Sequence, residues 1–342
     1  MEDDIDEEER NEIEEFIGTW QDEATGMKTF EFSKNNQMLV DLPENAEPYD
    51  YFRLLVDNDI LDRIIQETND YALNLFLEKG GSVRARISEW KDLTQEEFLK
   101  FLGLVYHMGT IKLNRIQDYW KTHRLFNLKC FSERMSRDRF LCILRCFHFS
   151  KNPKENEPKP DDCLYKIRPV IDYFNQKMRQ IYYPGKNLSL DESLVLWRGR
   201  LIFRQYIANK RHKYGLKLYM LTEPNGLVFN FSVYTGQLDD MGGKGHAQKV
   251  VMGLMKDNLN VGHSVYMDNF YNSCELAQTL LDNKTFCTGT LRGNRKGNPQ
   301  EVIGSKLKTG ETKAKYFNGI LVGKWRQTRS YLHIYRIQQR YG

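Results

Sequence analysis

The chain has 342 residues, 40% of them hydrophobic and 28% charged, with a formal net charge of +4. That is enough apolar mass for a large core spread over two or three domains. It contains no run of about 18 apolar residues, and its acidic N-terminus lacks the basic-then-apolar order of a signal peptide, so a soluble nuclear protein is expected.

The net charge hides an asymmetry. Residues 1–16 carry ten acids against Arg10, a local charge of −9 that leaves +13 for the remainder. An acidic, aromatic-poor stretch of this kind reads as a solvated, largely disordered tail, with competition against DNA for a basic surface as the second reading. Tail and linker are expected to occupy residues 1–48. From 49 to 182 the pattern is mainly helical. Thr94 and Glu97 have the spacing of a capping box ahead of Phe98, Phe101, Leu102 and Val105. Ser136 opens a helix with the apolar stripe Phe140, Ile143, Leu144 and Phe147, and Pro169 suits the first turn of another. The stretch Lys151 to Asp162 is a polar, proline-rich linker. Six dispersed cysteines show no C-x-x-C pair and read as free thiols. Cys142 and Cys146, with His148 close by, fall on the buried helix face, a simpler reading than zinc.

The following stretch carries the chemistry. Leu188 and Leu190 alternate with polar neighbours up to Asp191, and Val265 and Met267 do the same up to Asp268. Alternation with period two is the mark of a strand with one buried face. Between them lie strand runs at Lys217 to Thr222 and Leu227 to Tyr234, then helical spacing at Val250, Val251, Leu254 and Met255. After Asp268 come a helix marked by Leu276, Leu280 and Leu281 and a strand over Thr285 to Thr290. Strand, strand, strand, helix, strand, helix, strand is the order of a ribonuclease H-like nuclease core. A right-handed crossover would return the fourth strand parallel to the first and bring Asp191 and Asp268 to one sheet edge. Two neighbouring carboxylates repel unless a cation lies between them, which invites Mg²⁺ and phosphoryl-transfer chemistry.

These residues resemble the piggyBac-type DDE transposases and the proteins derived from them. Asp191-Glu192, then Trp197-Arg198-Gly199-Arg200, Phe203-Arg204, Asn209-Lys210 and Lys213-Tyr214-Gly215-Leu216-Lys217 look like the family's first-aspartate block. Tyr266-Met267-Asp268-Asn269-Phe270-Tyr271-Asn272-Ser273 looks like its second, and Gly289-Thr290-Leu291-Arg292-Gly293-Asn294-Arg295 with Pro299 resembles the segment after the fifth strand. Glu67 to Ala72 and Tyr106 to Gly109 also fit. The resemblance implies an α+β or α/β chain: a helical dimerisation and DNA-binding region over 49–182, a ribonuclease H-like mixed-sheet core over 183–291, and a β-rich insertion that interrupts it, partly present over 292–342. It further implies Asp191 and Asp268 as catalytic metal ligands, double-stranded DNA with transposon ends and a TTAA target as partner, and a homodimer. The family's third aspartate and cysteine-rich C-terminal module lie further downstream than Gly342, so a C-terminally truncated, catalytically silent member is expected.

Between Ser193 and Thr222 there is no acid, yet there are Arg198, Arg200, Arg204, Lys210, Arg211, Lys213 and Lys217. This stretch is expected to bind phosphates, and Arg292, Arg295 and Lys296 form a smaller cluster of the same kind. Glu192 should face away from Asp191. Asp239 and Asp240 read as loop acids, and Trp197 and Trp325 as core aromatics ahead of base-stacking ones. The run Gly242-Gly243-Lys244-Gly245 lacks the ending of a phosphate loop, so no nucleotide cofactor is expected. Beside an active transposase, two alternatives stand: a domesticated, non-catalytic DNA-binding or chromatin-associated protein, and a protein-interaction scaffold.

Overall fold

The computed structural model describes residues 19–24, 26–79, 86–154, 156–207, 213–236, 239, 241–327 and 330–335. The chain divides into two units, one from residues 42–176 and one from residues 1–41 with 177–342. None of the helices among the described residues is long and apolar enough to cross a membrane.

The 42–176 unit is helical. It contains α1 (Pro48–Leu55), α2 (Asn58–Lys79), α3 (Gln95–Thr110), α4 (Lys129–Ser132), α5 (Arg137–Cys146) and the first part of α6 (Arg168–Ile181). Its core is aromatic: Phe98, Phe101, Phe131 and Phe140 are all but inaccessible, with Leu61 and Ile143 beside them. Side chains of this size contribute about 1.5–3 kcal/mol each on burial, and edge and tilted ring contacts such as Phe101 on Phe140 at 4.9 Å fix how they interlock. Two expected caps form. Thr94 accepts from the Glu97 N–H at 3.3 Å, and Ser136 accepts from the Arg139 N–H at 3.2 Å. The reciprocal half of the Thr94 box is absent, because the Glu97 carboxylate takes a bidentate pair from Arg139 at 2.7 and 2.6 Å instead. Cys142 and Cys146 pack with Ala72, Leu75 and Ile87, as a buried helix face should, while Leu144 of the expected stripe is exposed.

The other unit is built on one mixed sheet. Its strands are β3 (Asn187–Leu196), β4 (Gln205–Tyr206), β5 (Tyr214–Thr222), β6 (Val228–Val233), β7 (Ser264–Met267), β8 (Phe286–Thr290), β9 (Thr312–Phe317), β10 (Ile320–Arg326) and β11 (Ser330–Tyr335), with α7 (His246–Met255), α8 (Cys274–Asp282) and the short α9 (Gln300–Ile303) between them. β5 lies antiparallel to both β3 and β6, while β7 is parallel to β3 and β8 parallel to β7. Leu188, Leu190, Val265 and Met267 form the buried face that their alternation predicted. The strands after residue 292, expected in a separate insertion, are hydrogen-bonded into this same sheet, because β11 pairs with β8 and covers what would otherwise be an open edge.

A second departure concerns residues 19–41, expected to belong to the tail and linker. Gln21 bridges to Tyr316, Phe30 stacks on Phe286 at 5.1 Å, Phe32 lies 4.8 Å from His263, and β1 (Gln37–Met38) pairs with β2 (Tyr182–Tyr183). The rings of Trp20, Phe30 and Phe32, scattered among charges, have no period that would reveal them, yet each finds a ring partner, Phe317, Phe286 and His263 respectively. Residues 1–18, which hold the acidic tail, lie outside the described residues.

Candidate functional site

The last register pair between β3 and β7 is Leu190 with Met267, so Asp191 and Asp268 follow it on two parallel strands. Neighbouring strands lie about 4.8 Å apart, and residues in register share a face. Both aspartates are exposed, on the face opposite to Leu190 and Met267. β3 continues to Leu196 while β7 ends, so Asp191 stands where its strand loses a neighbour. Each carboxylate is oriented by a local bond. One Asp191 oxygen accepts from the Glu192 N–H at 2.7 Å, and one Asp268 oxygen accepts from the Phe270 N–H at 2.8 Å, leaving the second oxygen of each for a cation. No group of three His, Cys, Asp or Glu that could hold a metal occurs among the described residues.

Behind the pair lies a polar support that the sequence did not reveal. Asn272 is buried, and its amide donates to the carbonyls of Met267, Asp268 and Thr290 at 3.0, 3.1 and 2.9 Å. One side chain thus ties the end of β7, the aspartate itself and the end of β8. Glu192 pairs in register with Tyr219, on the face opposite to Asp191 as expected, and accepts a long bond of 3.5 Å from the Tyr271 hydroxyl. The Tyr271 phenol is pushed well above its ordinary range by burial first, then by Glu192, Tyr219, Asp191 and Asp268. Tyr219 completes the support. The His246 Nδ1 faces the Met241 carbonyl at 2.8 Å and must carry the proton there, so Nε2 accepts from the Tyr219 hydroxyl at 2.7 Å. Asn272 and Tyr271 follow Asp268 so closely that only their place in the second-aspartate block marks them.

The expected cations divide into several environments. Arg198, Arg200 and Lys213 are exposed. Arg204 donates to the Arg198 and Gly199 carbonyls at 3.3 and 3.2 Å and lies over Tyr214, so it shapes the loop that presents Arg198 and Arg200. Lys210 and Arg211 lie outside the described residues, as does Asp240. Lys217 sits 4.7 Å over the Phe270 ring, and Arg292 lies 5.8 Å from the same ring, so the two basic clusters meet at the residue two past Asp268. Arg292 also donates to the Asn269 side chain at 3.2 Å, and Arg295 donates to the Phe270 carbonyl. Lys296 is exposed next to them. Asp239 accepts from the Thr235 and Met241 N–H groups, the work of a loop acid. Trp197 and Trp325 are 44% and 39% exposed rather than buried, contrary to the core reading.

Comparison with known proteins agrees with this architecture. A family model described as Transposase IS4 matches residues 47–340. The chain is 25% identical over 251 residues to the human PiggyBac transposable element-derived protein 3, covering 72% of this chain and 40% of that protein. It is also 25% identical over 294 residues to the human PiggyBac transposable element-derived protein 2, covering 82% and 47%. It therefore spans less than half the length of these relatives. The fold is similar to that in the cryo-EM structure of the piggyBac transposase synaptic complex with hairpin DNA, with a TM-score of 0.75 and 24% identity over 90% of this chain and 65% of that one. From the extent of the family match and the agreement of relatives and fold, the chain belongs to the piggyBac-type transposase family.

Proposed function

We propose that this chain is a transposase-derived DNA-binding protein that retains two aspartates of a metal-dependent strand-cleavage site. The observation that carries the reading is the parallel pairing of β3 and β7 that ends at Leu190 and Met267, immediately before Asp191 and Asp268. The strand order β6-β5-β3-β7-β8, with α7 and α8 following the third and fourth of these strands in sequence, supports reading the sheet as a ribonuclease H-like core. Asp191 and Asp268, hard anionic oxygens on one face, suit Mg²⁺, which when bound polarises a phosphoryl oxygen and activates water. Mg²⁺ takes about six oxygens, and the described residues bring no third carboxylate to these two. On these described residues alone the metal would be held weakly, and the activity proposed for residues 1–342 is DNA binding without cleavage.

Double-stranded DNA is the proposed partner, with transposon ends and a TTAA target as the sequences implied by family, a homodimer as the assembly and the nucleus as the compartment. Arg198, Arg200 and Lys213 supply phosphate contacts from the first basic cluster, to which Lys210 and Arg211 belong by sequence, and Arg292, Arg295 and Lys296 supply them from the second. Electrophoretic titration at two salt concentrations is the test of binding. Replacing Arg198, Arg200, Lys210 and Arg211 with Ala should lower affinity and flatten the salt slope by about one unit per lost phosphate contact. An unchanged slope would overturn the placement. Cleavage of transposon-end DNA in Mg²⁺ or Mn²⁺ that disappears in Asp191→Ala or Asp268→Ala would overturn the non-catalytic reading.

A further inference from the structure

A cleft of about 1030 Å³ opens on the sheet unit, and its wall is cationic: Lys244, Arg292, Arg295 and Lys296 line it against one acid, Glu275. Two helices begin on it. α7 does so through Gly245 and His246, and α8 through its cap Ser273. The positive ends of both helix dipoles add to the field of the side chains. The crowding registers on Arg295, whose pKa is lowered by burial and by Arg292, and whose buried Nε–H has no hydrogen-bond partner among the described residues. Although Glu275 lies in the wall and Glu192, Asp191 and Asp268 act on Tyr271 at its edge, the side chains lining the cleft are mainly cationic and draw anionic ligands.

The chain brings such a ligand to the rim. The Trp20 indole donates to the carbonyl of Gly297, a residue of the cleft wall, at 3.2 Å, and its ring lies 5.6 Å from Phe317. Gln21 exchanges two backbone bonds with Tyr316 at 2.9 and 2.8 Å, and Asp22 pairs with the buried Lys315 at 3.0 Å. Residue 20 is therefore anchored beside the cleft. Directly before it in sequence, residues 2–15 hold ten carboxylates and one arginine. Glu15 is five residues from the anchor, and a chain spanning up to about 3.5 Å per residue reaches roughly 18 Å. Tethering at that range presents the segment at about millimolar effective concentration.

We propose that the cleft is a binding site for an acidic peptide, and that residues 2–15 of this chain are its occupant, competing with DNA phosphates for the same cations. The competition rests on the DNA-binding reading above; occupancy of the cleft does not.

The test uses the full chain with the ten acids of residues 2–15 replaced by Asn and Gln, and a fluorescent peptide of residues 1–18 added in trans. Fluorescence anisotropy should show the peptide binding this variant about tenfold more tightly than the native chain, whose cleft is already filled. Adding Lys244→Glu and Lys296→Glu, both exposed positions, should abolish that binding, and circular dichroism reports whether the fold is retained. Arg292→Ala serves as a second, milder variant and should weaken binding about tenfold. Equal peptide binding by native and neutralised chains overturns the proposal, as does binding indifferent to the cleft substitutions. In electrophoretic titrations the neutralised chain should bind DNA about tenfold more tightly than the native one. An equal gain when the cleft is also substituted would mean that the tail acts through overall charge, and the proposal falls. If the peptide binds as described while neither chain binds DNA, the cleft assignment stands and the DNA-binding reading falls.

Discussion

Asn272 holds the backbone on which Asp268 sits. Its three donated bonds converge on carbonyls of β7, β8 and the aspartate. Asn272→Leu keeps the volume and removes the side-chain donor to the Met267 and Thr290 carbonyls, at a cost of about 1–3 kcal/mol, while the Asp268 carbonyl keeps the Asn272 backbone N–H at 3.4 Å. The expected outcome is a lower denaturant midpoint together with weaker Mn²⁺ binding by electron paramagnetic resonance titration, although residue 272 is no ligand. Stability loss with unchanged Mn²⁺ affinity would show that Asp268 holds its place without this amide. Glu223 is a purely architectural counterpart, 4% exposed. It accepts from the Asn36 amide at 2.8 Å, the Gly185 N–H at 2.5 Å and the Tyr182 hydroxyl at 2.7 Å. Glu223→Ala strands those donors and should cost about 2–4 kcal/mol in urea unfolding while leaving Mn²⁺ affinity alone.

At the scale of elements, two glycines decide whether strands can meet. Gly289 of β8 pairs with Met267 of β7, and a Cβ there would fall within contact distance of the Met267 carbonyl and the Asn272 amide. Gly289→Ala should therefore push β8 away from β7 just beside Asp268. Gly319 serves the β9–β10 turn, where Asn318 and Gly319 both have positive φ, at 47° and 81°, the signature of a tight hairpin. A Cβ on Gly319 would also stand 2.6 Å from the Gly26 carbonyl, so Gly319→Ala combines backbone strain with displacement of the N-terminal segment. Both variants should lose more than about 1 kcal/mol. Only Gly289→Ala should also disturb Mn²⁺ binding, and an equal effect of both would show that the β7–β8 contact is not what orders the aspartate.

At the scale of the molecule, acid should weaken both units. His263 in the sheet unit is fully buried, and His148 in the helical unit is half-buried against Tyr71 at 3.6 Å. Burial pushes each imidazole pKa below the ordinary 6.5, and for His148 the charge of Lys166 adds to the effect. The unfolded chain then binds protons that the folded chain refuses. Stability is complete above about pH 6.5 and falls as the pH drops through that value toward the lower folded pKa. Thermal melts from pH 7.5 to 5 should show a falling midpoint, and His263→Gln and His148→Gln together should flatten its slope over the range nearest pH 6. A slope unchanged by both substitutions would assign the acid loss to carboxylates.

The sequence by itself determined the alternating strands that carry Asp191 and lead up to Asp268, the Thr94 and Ser136 caps, and the charge imbalance between tail and body, but not that β3 runs on past Asp191 to Leu196. Each depends on residues a few positions apart, where strand period, capping chemistry and like-charge runs are local properties. Only the tertiary structure decided that Glu97 turns to Arg139, that Asn272 ties two strands to one aspartate, and that β11 closes the edge of β8. It also decided that Trp20, Phe30 and Phe32 dock on the sheet unit, which anchors residue 20 beside a cationic cleft. Those contacts join residues far apart in the chain, and their partners are selected by packing and hydrogen-bond geometry that no local pattern encodes.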